Sequence, residues 1–135
     1  AAWPNDAKKI EIKTKVNEMK YDISSFEVEV GQAVEIKFRN NDFMQHNLLV
    51  LQPGSLEIVG AAADKLASKP NAAEVSYIPE MNEILYSTKL VNPDSEVVLR
   101  FIAPDKPGDY PFVCTFPGHW RIMNGIMKVT PNNTL

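Results

Sequence analysis

A chain of 135 residues, 44% apolar and 23% charged, is long enough for one domain with a true hydrophobic core. Its net charge of −3, from 14 basic and 17 acidic residues, gives no reason to expect a nucleic-acid partner. No apolar run reaches the roughly 18 residues that a membrane-spanning helix needs, and a single cysteine excludes an internal disulfide. Ala1-Ala2-Trp3-Pro4 has no basic segment leading into an apolar one. The chain therefore reads as a mature form, or as a domain of a longer protein.

Period-2 alternation punctuated by Gly and Pro runs through most of the chain, and it predicts an all-β fold. Ile10 and Ile12 alternate with lysines and a glutamate; Phe26, Val28 and Val30 alternate with Glu27 and Glu29 before Gly31 turns the chain. Val34, Ile36 and Phe38 follow, ended by Asn40-Asn41-Asp42. One wet and one dry face per strand points to antiparallel sheets in a sandwich. The mostly apolar run from His46 to Leu51 predicts a central strand. After Pro53-Gly54, the alanine-rich stretch beginning at Ser55 predicts a short helix over about residues 55–68, with Ser55 as its cap. Further strands are expected at Ile84–Leu90, Glu96–Ile102, Tyr110–Cys114 and Gly125–Thr130, giving about seven to eight in all. With no internal repeat, low-complexity tract or linker, residues 1–135 read as one domain.

The chemistry concentrates in Cys114-Thr115-Phe116-Pro117-Gly118-His119-Trp120-Arg121-Ile122-Met123. This C-x₄-H-x₃-M loop holds the only cysteine and one of two histidines; His46 is the other. Thiolate, imidazole and thioether together suit copper cycling between Cu(I) and Cu(II), and a His₂Cys set with a weak axial Met is the blue-copper arrangement. Zinc is the competing ion, but a structural zinc site draws on more thiolates and a thioether binds zinc poorly. Tyr110, Phe112 and Cys114 share one strand face, so Cys114 sits at the strand's end beside the core. His46 would join it from a neighbouring rigid strand.

The motif resembles those of the cupredoxins, most closely the azurin and auracyanin group of small bacterial blue copper proteins. Met44-x-His46-Asn47 is similar to the upstream ligand segment, and Pro107-Gly108-Asp109-Tyr110 to the entry into the cysteine strand. The resemblance implies a Greek-key β-sandwich with a helical insertion. It implies His46, Cys114 and His119 as equatorial copper ligands and Met123 as the axial one. Asn47 would hydrogen-bond into the Cys114 loop, with Thr115 and Phe116 beside the metal, and backbone N–H groups would donate to the Cys114 sulfur. Gln45 stands where azurins usually carry glycine, and its backbone carbonyl would be a weak axial contact. The azurin disulfide cannot form here, which brings the chain closer to auracyanins.

The function implied is one-electron transfer, with His119 as the solvent-facing ligand. Met44, Phe116, Pro117 and Trp120 would form an apolar docking rim for transient redox partners, such as a cytochrome or a copper or haem oxidoreductase. The alternatives are the electron-entry domain of a larger copper or haem enzyme, and a copper chaperone. A copper oxidase or nitrite reductase needs a second metal site that two histidines cannot supply, so the chain alone is not such an enzyme, though it could be the electron-entry domain of one. A chaperone favours exposed, exchangeable ligands. The expected location is periplasmic, or on the extracytoplasmic cell surface.

Overall fold

The computed structural model describes residues 3–132; Ala1, Ala2 and residues 133–135 lie outside them. Among the described residues the chain forms nine strands and one α-helix. The first half runs β1 (Lys8–Lys15), β2 (Lys20–Tyr21), β3 (Ser25–Glu29), β4 (Ala33–Asn40), β5 (Leu49–Leu51) and α1 (Leu56–Ala67). A single 3-10 turn, Ala73–Val75, precedes β6 (Ile84–Ser87), β7 (Ser95–Ile102), β8 (Gly108–Val113) and β9 (Asn124–Thr130). The very short β2 gave no alternation signal and takes the strand count above the expected seven to eight.

The strands form two sheets, ordered β2-β1-β4-β7 and β3-β9-β8-β5-β6. One core lies between them: Ile12, Ile36 and Phe38 from the first meet Phe26, Val50, Phe112 and Met127 from the second. Tyr21 bridges the sheets, its ring 5.8 Å from Phe38 and 5.2 Å from Phe112. The expectation of purely antiparallel sheets is corrected here. β1 runs parallel to β4, and β3 runs parallel to β9. Alternation marks a half-buried strand whichever way its neighbour runs, so it carries no information on direction.

β5 and β8 are apolar on both faces because α1 covers the outside of their sheet. Leu48 and Val50 point into the main core, while Leu49 and Leu51 join Val113 and Val59 in a second cluster under the helix. The helix buries Val59, Gly60 and Ala63, spaced to lie on one face. Ser55 occupies the expected cap position, but its near-helical backbone leaves the side chain without a capping hydrogen bond. In β9, Gly125 lets the tip of the Phe112 ring approach the backbone closely. A Cβ there would overlap that ring and sit 2.7 Å from the Ser24 carbonyl oxygen.

Candidate metal centre

The β8–β9 connection is a continuation of the hairpin. Val113 pairs with Asn124, and one step further Cys114 N–H donates to Met123 O at 3.0 Å. Cys114 and Met123 therefore face each other across the neck of the loop. Above them the chain folds into a tight coil: His119 N–H donates to Phe116 O, and Met123 N–H to His119 O. Gly118, at φ 83°, supplies the left-handed step that turns His119 back over Cys114. His46 enters from the loop before β5, held by a two-way backbone bridge to Val91.

These segments bring three ligand-bearing side chains together. Cys114 Sγ lies 3.7 Å from His46 Nδ1 and 3.6 Å from His119 Nδ1. The three ligand atoms all fall within 4.8 Å of one another, close enough for one ion to bind them all. Cys114 and His46 are fully buried, and Met123 is fully buried in the same core. Two imidazole nitrogens, one sulfur of a thiol and a nearby thioether make a soft, mixed donor set. It fits copper in chemistry as well as in spacing.

Asn47 ties the two halves of the site. Its Oδ1 accepts from Thr115 N–H at 2.8 Å and its Nδ2 donates to Thr115 Oγ1 at 2.9 Å. The same Nδ2 reaches the carbonyl of Ser76, in the insertion between α1 and β6. Ser76 and the adjacent Tyr77 both have positive φ, so the insertion kinks where Asn47 holds it. A residue with no expected role also touches the site. Asp42 Oδ2 lies 2.8 Å from His46 Nε2, with both side chains buried. Its i,i+4 spacing from His46 was the available signal, hidden because Asn40-Asn41-Asp42 reads as an ordinary turn.

Burial sets the electrostatics. It pushes the Cys114 thiol up to about 12, against backbone hydrogen bonds from Asn47 and Phe116 that favour the thiolate. Burial lowers His119 to about 4; the His46 neighbour adds to this and Asp42 opposes it. His119 is thus neutral at ordinary pH, with a lone pair free for a metal. Because its unfolded value near 6.5 lies above the folded one, the unfolded chain binds more protons between the two. Metal-free protein should therefore keep this contribution above about 6.5 and lose it as pH falls through about 4. Thermal unfolding of the apo protein at pH 7, 5.5 and 4.5 checks this; an unchanged Tm across that range would refute it.

The periphery departs from expectation in two places. His119 is only 1% exposed rather than solvent-facing. The Phe116 ring lies 4.9 Å from it, and Tyr77 of the insertion packs edge-on against Phe116. Trp120 does not lie free on a rim. Its ring sits on Gly60 of α1, where any Cβ would overlap it, and its Nε1 donates to Asp64. Arg121 stacks over the same ring and pairs with Asp64, clamping the loop to the helix. Gln45 turns its side chain to Asn92. Met44 and Pro117 are exposed, and so is the neighbouring Phe43, at 75%.

A family model described as "Copper binding proteins, plastocyanin/azurin family" matches residues 8–130. Auracyanin-A of Chloroflexus aurantiacus is 34% identical over 122 residues, covering 89% of this chain and 73% of that one. Auracyanin-B of the same organism is 28% identical, and the chain spans 53% of its length. The structure of dithionite-reduced auracyanin from Roseiflexus castenholzii superposes with a TM-score of 0.79 at 34% identity, covering 93% of this chain and 98% of that one. With the family match spanning nearly the whole sandwich and the copper-type donor set gathered at its end, the chain belongs to the plastocyanin/azurin family of copper-binding proteins, as a cupredoxin similar to the auracyanins.

Proposed function

We propose that the protein is a one-electron carrier in which His46, Cys114 and His119 would hold a single copper ion, with the Met123 thioether as a weaker fourth donor. The observation behind this reading is the convergence of two imidazole Nδ1 atoms on one buried thiol. Bound copper supplies a Cu(II)/Cu(I) couple that accepts and returns one electron.

The chain's own residues do the rest. Cys114 must give up its thiol proton when it binds, so metal uptake releases a proton to solvent. The N–H groups of Asn47 and Phe116 then stabilise the sulfur's negative charge. Because an ionised Asp42 can only accept, Nε2 of His46 carries the ring proton and Nδ1 presents its lone pair to the site. The hairpin neck, the Asn47 bonds and the clamp of Arg121 and Trp120 on Asp64 fix the ligands before metal arrives. Fixed ligands in a dry pocket limit rearrangement between the two oxidation states, which is what a fast carrier requires.

Electron exchange is assigned to the end of the sandwich where Met44 and Pro117 are exposed, with a transient redox protein as partner. Met44→Asp should slow exchange with such a partner about tenfold without altering the visible spectrum, since charge is disfavoured at the centre of a docking patch. Unchanged stopped-flow rates would remove Met44 from that surface. Both histidines are committed to one centre, so an oxidase or reductase activity within this chain is not proposed. Work outside the cytoplasm, as a free carrier or as a unit of a longer redox protein, fits the same chemistry.

The deciding test is to load purified protein with Cu(II). An intense thiolate-to-copper band with narrow hyperfine splitting in electron paramagnetic resonance, bleached by one reducing equivalent and restored by an oxidant, supports the carrier. Tightly bound copper lacking that band would overturn it.

A further inference from the structure

We infer that Asp42 is a positioning residue for His46, and that its buried negative charge biases the centre toward the oxidised state. The inference rests on the reading of His46 as a copper ligand. Asp42 is 3% exposed, and its Oδ2 meets His46 Nε2 at 2.8 Å. The carboxylate has been built in place. Asn17 N–H donates to the other oxygen, Oδ1, at 3.0 Å, and Asp42 N–H donates to Asn40 Oδ1 at 2.9 Å. Asn40 is itself anchored: its Nδ2 donates to the carbonyls of Met44 and Val91, each at 2.8 Å, and its Oδ1 accepts from Thr14 Oγ1. Thr14 in turn accepts from Asn41 N–H. Each oxygen of Asp42 is thus occupied, and the carboxylate cannot swing away from the imidazole.

A backbone N–H meets one oxygen and the Nε2 proton of a His46 that offers Nδ1 to the site meets the other, so the contacts are those of an acceptor-only carboxylate. Among the described residues its ion-pair partner is His46, and no lysine or arginine is recorded pairing with it. Its charge is left to act on the metal site. Two consequences follow. A carboxylate accepting from Nε2 makes the imidazole more basic at Nδ1. In addition, the oxidised centre carries one more positive charge than the reduced one, and a nearby anion in a dry environment stabilises the more positive state. Both effects lower the reduction potential. A backbone carbonyl in the same place would orient the ring without contributing a full charge.

The test uses copper-loaded protein and the Asp42→Asn variant, which keeps a hydrogen-bond acceptor of the same size and removes only the charge. The inference expects the Cu(I)/Cu(II) equilibrium to move at least tenfold toward Cu(I), read by redox titration as a rise of about 59 mV or more for one electron. A shift under twofold, with the visible band intact, would overturn the role of Asp42 and leave the carrier reading standing. Absence of the thiolate-to-copper band in the unaltered protein would instead overturn the carrier reading, and this inference with it. Should the variant fail to fold, nitrogen-15 NMR of the unaltered Cu(I) protein decides. A His46 Nε2 proton protected from solvent exchange supports the pairing, and an unprotonated or freely exchanging Nε2 refutes it.

Discussion

Cys114→Ser protein mixed with Cu(II) should remain colourless, with the intense visible band lost completely and copper released by a mild chelator. The thiolate is the one strong, charge-donating ligand in the set; a serine hydroxyl stays protonated and has no comparable sulfur-to-copper transition. The fold should survive. Cys114 is fully buried 3.6–3.7 Å from two imidazole nitrogens, so a hydroxyl of slightly smaller size finds a hydrogen-bond partner there. Absorption titration together with thermal unfolding separates the two effects. Retention of the band in Cys114→Ser would mean that the chromophore lies elsewhere.

The second large effect is expected at Asn47. Asn47→Ala removes the acceptor of Thr115 N–H and the donor to both Thr115 Oγ1 and Ser76 O, all at 2.8–2.9 Å. Asn47 and Thr115 are buried, so no water readily replaces these bonds. Leaving them unmade should cost about 2–4 kcal/mol. Because Thr115 follows Cys114 and Asn47 follows His46, the same change loosens the distance between two ligands. Denaturant unfolding should show a lower midpoint with an unchanged slope. Copper-loaded protein should show faster metal loss as well. A variant as stable as the parent, with the same rate of metal loss, would show that the loop is held by its own coil and the Arg121–Asp64 clamp instead.

The insertion between β5 and β6 braces the same end of the sandwich. α1 covers the outer face of the sheet through Val59 and Ala63, and Gly60 accepts the Trp120 ring. Downstream, the kink at Ser76 and Tyr77 places one carbonyl on Asn47 and one aromatic ring on Phe116. The insertion therefore acts as a cover over the ligand loop. Its Tyr77 backs the Phe116 ring that lies against the buried His119, and at this end Phe43 and Met44 are exposed while Trp120 is half-buried.

The amino-acid sequence by itself determined the elements and the chemistry. Alternation at Val34-Ile36-Phe38 or Phe26-Val28 can only be a half-buried strand, because a helix would scatter those residues around its surface. One cysteine, two histidines and a methionine at the loop's end left a single donor set to assemble, and the alanine-rich stretch after Ser55 had no competing strand pattern. Tertiary structure alone decided what touches what. Strand direction, as in β1 beside β4, depends on how the chain crosses between sheets, and alternation is blind to it. Asp42 looked like a turn residue because its partner is an imidazole whose position Val91 fixes from a distant segment. Trp120 and His119 sit next to each other in the loop, yet one is clamped to a helix and the other roofed by Phe116. The Trp120 clamp joins segments far apart in the chain, while Asp42 with His46 and Phe116 with His119 are near neighbours whose contact depends on how each loop is held by the rest of the fold.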